Sequence, residues 1–351
     1  MIYLLFIVGA AIGSLLCTGV VRGIMLRLAI VDDPKKADRK IHKQLMPLGG
    51  GLAIYVSLSL FLAIAVYSGL IGTDIPISSL IGLAIGGAII MAGGLLDDKK
   101  TLKPKQQIIF PIIAAVIAIV SGVGIESMTN PTGGILHLDM YSISINGLGQ
   151  WMLLADTIVF VWLIGMMFTT KLLDGLDGLA TGIVAIGASI IWIMALSPQW
   201  FQPEVALFAS IFLGSCLGFL YWNFFPAKIF LGEGGSIFIG YILGSLAIIS
   251  GSKIATTVLV MGIPMLDMFR VMLRRFKKKS SVFHGDSEHI HFQLLETGLS
   301  HKQAVLLLYS ISFLLGFSTF FLQQIAQLIA LSFLFVLMLI LATWFQVHKK
   351  T

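Results

Sequence analysis

Apolar runs of about 20 residues recur from one end of this 351-residue chain to the other, broken by short polar stretches. A helix of that length matches the hydrocarbon thickness of a bilayer. Backbone in lipid must also satisfy its own hydrogen bonds, so the runs are expected to be membrane-crossing helices. Only 11% of residues are charged, 57% are hydrophobic and the mean hydropathy is +0.97. A soluble protein would carry about a quarter charged residues. The longest polar stretches, about residues 22–48 and 274–303, are too short to bury a core of their own. The expectation is therefore one all-α polytopic membrane domain over residues 1–351.

Apolar runs and polar breaks predict about eleven spans, near 1–21, 50–71, 78–96, 106–124, 151–169, 179–197, 204–222, 236–252, 254–273, 303–322 and 325–347. The first run has no positive residue before Arg22, so it reads as a span starting outside rather than as a cleaved signal. The loops 22–49, 97–105, 170–178, 223–235 and 274–302, and the C-terminus, then face the cytoplasm. Of the 23 Lys and Arg residues, all but Lys253 fall on that side, as the positive-inside rule requires. The net charge of +6 is thereby explained by membrane orientation, not by nucleic acid. Cys17 and Cys216 lie in apolar runs and say nothing of redox compartment. Among the outer segments, 125–150 is long enough for a small hairpin.

The chain has only 17 acidic residues, and the informative ones share a side. Asp97 and Asp98 end the third span (GGLLDDKK), Asp174 and Asp177 lie in KLLDGLDGLATG, and Glu233 sits in FLGEGGS. Any one of them alone reads as a helix end reaching water. Gathered together, like charges repel by about 1–4 kcal/mol per close pair, and a fold that gathers them needs a cation. Oxygen donors without thiols point to Mg²⁺ or Mn²⁺ rather than Zn²⁺. The nearby Gly175, Gly178, Gly232, Gly234 and Gly235 would let backbone approach a phosphate.

Two basic segments share that side. In RRFKKKSSVFHGDSEHIHFQLLETG, Arg274 to Lys279 serve orientation, whereas His289 and His291 are placed to contact a phosphate or sugar. The segment ADRKIHKQLMPLGGG, with His42, is a basic loop ending in three glycines; an orienting role explains it equally well.

In this order, RKIHKQLMPLGGG, GGLLDDKKTLKP, LLDGLDGLATG, NFFPAKIFLGEGGS and HIHFQLL resemble the polyprenyl-phosphate N-acetylhexosamine-1-phosphate transferases, the membrane family of WecA, TagO and MraY. The resemblance covers roughly residues 20–300. It implies transfer of a sugar-1-phosphate from a UDP-N-acetylhexosamine to a polyprenyl phosphate such as undecaprenyl phosphate, with release of UMP, at a cytoplasm-facing site in the plasma membrane. It implies catalytic roles for Asp97 and Asp98 near the lipid phosphate, for Asp174 and Asp177 around the nucleotide and metal, and for His289 and His291 beside the sugar. Asn223, Lys171, Lys228, His42, Gly232 and Gly235 are implied substrate contacts, and Glu233 with Asp177 implied Mg²⁺ ligands. A homodimer stays open.

Four positions depart from the family pattern. Lys171 stands where Asn is common, Glu233 where a metal-binding Asp is common, and Leu48 where Arg precedes the glycines. The histidine motif reads His289-Ile290-His291-Phe292, then Gln293 in place of Arg. HIHF resembles the WecA/TagO side, which implies UDP-GlcNAc; an MraY-like peptide-bearing donor, a non-catalytic scaffold and a transporter are the alternatives. Transporters keep ionisable groups near the midplane. Here only Asp267 is deep in a run.

Overall fold

The computed structural model describes residues 1–33, 45–125, 127–129, 135–138, 142–145, 149–251, 254–277 and 289–322, with a few between 326 and 336. The chain is a helical bundle. Its helices are α1 (Ile2–Arg27), α2 (Gly51–Tyr67), α3 (Ile77–Lys100), α4 (Pro104–Gln107), α5 (Ile109–Val120), α6 (Leu153–Leu173), α7 (Leu179–Leu196), α8 (Pro203–Asn223), α9 (Gly232–Ile249), α10 (Ile254–Val260), α11 (Gly262–Lys277), α12 (Ile290–Glu296) and α13 (His301–Ser318).

Six of them, α1, α3, α6, α7, α8 and α9, are long and apolar enough to cross a bilayer, and the pair α10–α11 makes a seventh if counted as one span. The protein is therefore a polytopic membrane protein. The expected span at 254–273 is not straight: α11 leaves α10 at 76°. Helix α2 and the segment Pro104–Val120 are apolar but shorter than the others. The last expected span, 325–347, lies largely outside the described residues. Instead of one hairpin, the segment after α5 forms two, β3 (Ser127–Thr129) with β4 (Ile135–His137) and β5 (Ser142–Ile145) with β6 (Gly149–Met152). Earlier, β1 (Val31–Asp32) pairs antiparallel with β2 (Met46–Pro47), closing the base of the first loop.

Helix α9 is the axis of the bundle. Every residue from Gly234 to Ile248 is buried, and α2, α3 and α6 pack against it. Water drives nothing between helices in lipid, so close approach of small residues supplies the association. A Cβ on Gly234 would lie 3.1 Å from Gly94 Cα of α3, one on Gly51 of α2 would lie 2.0 Å from Gly235 Cα, and one on Gly240 would lie 2.6 Å from Met166 O of α6. The same logic joins α8 to α1, where Cβ atoms on Gly214 and Gly218 would meet the carbonyls of Ile7 and Ala11 at 2.3 and 2.1 Å.

The opposite end of the bundle is fastened by a carboxylate. Buried Glu204, in the first turn of α8, accepts from the backbone N–H groups of Gly72 (3.1 Å), Thr73 (2.9 Å) and Ile75 (2.8 Å), and from the Thr73 hydroxyl. This pins the turn between α2 and α3.

A methyl group at Gly51 has nowhere to go, because its neighbour is backbone. Overpacking of this kind costs about 1–3 kcal/mol. Gly51→Ala is expected to lower the thermal unfolding midpoint in detergent, whereas Gly23→Ala in α1, with nothing within 4 Å of the new methyl, is expected to leave it unchanged or raise it.

Candidate active site

Three helix ends meet at the lysine-rich end of the bundle: the C-termini of α3 and α6 and the N-terminus of α9. The two aspartates ending α3 have different surroundings. Asp97 is buried and closes the helix, its Oδ1 accepting from Leu102 N–H at 2.7 Å and its carbonyl from Thr101 N–H at 2.7 Å. Asp98, about 100° further round the helix, faces α9. Its Oδ1 accepts from the Glu233 N–H at 3.1 Å, and its Oδ2 is buried with no hydrogen-bond partner. Gly232 makes that approach feasible: its φ is +76°, and a Cβ there would strike Asp98 Oδ2. Glu233, in the first turn of α9, is favoured by the positive end of that helix.

From α6, Lys171 Nζ reaches Glu233 Oε2 at 2.8 Å and also donates to Gln107 Oε1 at 3.1 Å. Lysine is favoured in the last turn of a helix as Glu is in the first, so the pair joins two helix ends of complementary polarity. Three residues on, Asp174 caps α6. Burial, reinforced by the Glu233, Asp177 and Asp98 carboxylates, pushes its carboxyl up to about 8. Asp177 Oδ2 accepts from Ala227 N–H at 2.9 Å, which ties the α6–α7 turn to the loop before α9.

Several expected glycines are packed, not presented. Gly234 and Gly235 are buried against α3 and α2, where they let the helices approach closely. The glycines ending the first loop do likewise: Gly50 and Gly51 N–H donate to the carbonyls of Phe230 and Leu231, both at 2.9 Å, and this bonding seats the α9 N-terminus. Asn223 is buried and holds the same loop, accepting from the Thr181 hydroxyl at 3.2 Å and donating to Ile229 O at 3.1 Å. Lys228 is exposed, with its ammonium over the rings of Tyr221 and Trp222 at 5.9 and 5.5 Å. His42 lies outside the described residues.

The histidines form a layer behind the carboxylates. His289 and His291 stack in parallel, ring centroids 5.6 Å apart, and both are buried. A carboxylate can only accept, so His289 Nδ1 carries the proton it gives to Asp267 Oδ2 at 2.8 Å. Ile290 N–H donates to that same oxygen at 3.2 Å, and Arg270 Nη2 to Oδ1 at 2.6 Å. His291 lies on the α6–α7 turn, where a Cβ at Gly175 would meet its Nε2 at 2.2 Å. Burial, and then the His289 ring, push His291 down to about 3, so it is neutral at physiological pH.

The cluster offers oxygen donors from Asp98, Asp174, Asp177 and Glu233, including an orphaned Asp98 oxygen, which suits a hard divalent cation. Among the described residues, no three His, Cys, Asp or Glu side chains already converge closely enough to hold one.

The family model described as glycosyl transferase family 4 matches residues 80–251. A Bacillus subtilis protein named as a probable undecaprenyl-phosphate N-acetylglucosaminyl 1-phosphate transferase is 31% identical over 93% of this chain and 86% of its own length. The chain belongs to the polyprenyl-phosphate N-acetylhexosamine-1-phosphate transferase family. A Mycobacterium leprae decaprenyl-phosphate N-acetylglucosaminephosphotransferase is 32% identical over 86% of this chain and 78% of its own. A Bacillus cytotoxicus phospho-N-acetylmuramoyl-pentapeptide-transferase is 30% identical over 82% and 86%.

Sequence reasoning about this family member missed three side chains. Asp267, read as deep in a span, organises the histidine layer from the bent helix α11. Its one legible signal was the i, i+3 spacing to Arg270. His301, at the start of α13, stacks on Phe225 with centroids 4.5 Å apart and lies within the field of Asp177. Gln107 supports Lys171. Neither position carries a local pattern that sets it apart.

Asp174 has a raised carboxyl in the folded protein, so its ionisation destabilises the fold as pH rises from about 4, where the unfolded chain's group titrates, to about 8. In a chelator, Asp174→Asn is expected to unfold at a higher temperature than wild type at pH 9, with the gap narrowing toward pH 5. Thermal unfolding in detergent at several pH values checks this.

Proposed function

We propose that this protein transfers a sugar-1-phosphate, GlcNAc-1-phosphate, from a UDP-N-acetylhexosamine to undecaprenyl or another polyprenyl phosphate. An oxygen of the lipid phosphate bonds to the phosphorus that bears the sugar, and the bond from that phosphorus to the oxygen bridging to the uridine-side phosphate breaks. The products are lipid-diphospho-sugar and UMP. The reading is carried by one observation: Asp98, Asp174, Asp177 and Glu233, drawn from three separate stretches of chain, meet at one helix mouth in a member of this family. The Bacillus subtilis and Mycobacterium leprae relatives, named for N-acetylglucosamine, match 93% and 86% of this chain against 82% for the pentapeptide transferase, which supports that sugar.

In this reading about eleven spans place the N-terminus outside and the lysine-rich mouth in the cytoplasm, since that side alone holds nearly all Lys and Arg. Lipid phosphate enters at the membrane surface and nucleotide sugar from water, and the carboxylates lie where the two meet. The lipid phosphate is largely ionised near neutral pH, so no carboxylate has to act as an obligate base. Positioning and neutralisation of oxygen charge are what the site must supply. Glu233, Asp177 and Asp98 would hold Mg²⁺ or Mn²⁺, which would offset charge on the diphosphate. Neutral His291 and Asp267-oriented His289 back the turn that carries Asp174 and Asp177.

The test uses purified protein in detergent with undecaprenyl phosphate, Mg²⁺ and a panel of UDP-sugars, with UMP release as readout. Release is expected with UDP-GlcNAc and is lost on chelation. Release only with the UDP-MurNAc-pentapeptide would move the donor to the other branch. Asp177→Asn and Glu233→Ala are each expected to abolish turnover while the protein stays folded; full activity in both would overturn the proposal.

A further inference from the structure

Lys171 and Glu233, from two separate stretches of the chain, touch each other. The ammonium of Lys171 is 2.8 Å from Glu233 Oε2, and Gln107 Oε1 holds it from the other side at 3.1 Å. The lysine is largely covered, with its side chain 19% exposed, while Glu233 is 39% exposed. Among the described residues, the acidic side chains of Asp98, whose Oδ1 takes the Glu233 N–H, and of Asp174 and Asp177, on the turn that follows Lys171, lie about this pair. The positive charge of Lys171 is therefore built, among the described residues, into the acidic cluster, on the side chain expected to be a cation ligand. An Asn in place of Lys171 would bring no charge, and an Asp in place of Glu233 would be about one methylene too short for the same reach.

We propose that Lys171 is a tethered counter-ion: at rest its ammonium occupies the Glu233 carboxylate, and it leaves that oxygen for a divalent cation when a donor diphosphate arrives to receive the ammonium instead. This rests on the transferase reading above and adds a coupling that follows from the geometry. An ammonium 2.8 Å from Glu233 Oε2 and a divalent cation held by that same oxygen would be two positive centres in strong repulsion. A diphosphate next to the cluster offers Lys171 another anionic partner within reach of its flexible four-carbon stem. Cation and nucleotide should then bind with mutual reinforcement, each increasing the other's affinity by the same factor.

The experiment measures Mn²⁺ binding to the purified, detergent-solubilised protein by electron paramagnetic resonance, with and without UDP. Wild type is expected to bind Mn²⁺ weakly alone and more tightly with UDP. Lys171→Met is expected to bind Mn²⁺ about tenfold tighter than wild type without UDP, and to gain little when UDP is added. Lys171→Arg, which keeps the charge, is expected to behave like wild type. Thermal unfolding confirms that each variant is folded, and Lys171→Asn, which keeps a donor toward Gln107, replaces the Met variant if that one is not. Unchanged or weaker Mn²⁺ affinity in the folded charge-neutral variant overturns the proposal, as does equal tightening in Lys171→Arg. Failure of the transferase reading shows separately, as no UMP release with any donor while the Mn²⁺ shift persists.

Discussion

The close approach of α9 to its neighbours is the constraint on which the rest of the molecule depends. Glycines at Gly51, Gly94, Gly234 and Gly235 let three helices come together backbone to backbone. Such contact needs no hydrophobic driving force, which lipid does not supply. Its consequence is positional. The N-terminus of α9 is brought between the C-termini of α3 and α6, so Glu233 meets Asp98 and Lys171. Loosening that packing by a single methyl would shift the carboxylates before it changed any chemistry.

Electrostatics then works against the packing. Four acidic side chains share a partly buried mouth, and burial first, then the neighbouring carboxylates, push the carboxyl of Asp174 up to about 8. The fold meets this with several devices. The positive end of α9 faces Asp98 and Glu233, the Ala227 N–H takes Asp177, and the Lys171 ammonium takes Glu233. In the proposed reading a divalent cation would offset the charge that remains, as a diphosphate-handling site requires. The histidine layer behind it is neutral at His291 and ordered by Asp267, so it adds shape and hydrogen-bonding capacity without adding to the repulsion.

Much of this was legible in the sequence, and the limits have physical causes. Apolar run length exposed the helices, and the one-sided Lys and Arg pointed to the face on which the acids gather. The motifs around Asp98, Asp174, Asp177 and Glu233 located the mouth, because charge is rare in such a chain and therefore conspicuous. The roles of Gly234 and Gly235 were not legible: a glycine that admits a phosphate and one that admits another helix look the same in sequence. The division between Asp97, which closes α3, and Asp98, which faces α9, depends on a rotation of about 100° per residue relative to a partner the sequence does not name. The contact of Lys171 with Glu233 is long-range, and it turns two separate departures into one feature. The bonding of Asp267 to His289 and Arg270 was not legible, because it depends on the 76° bend between α10 and α11 and on a partner 22 residues away.

The central claim is that the gathered carboxylates form a cation-assisted site for the diphosphate of a nucleotide sugar. Isothermal titration of UDP-GlcNAc into the purified protein, without lipid acceptor, tests it most directly. Saturable binding with Mg²⁺ that disappears in chelator is the predicted result. Equal binding with and without the cation would contradict the account.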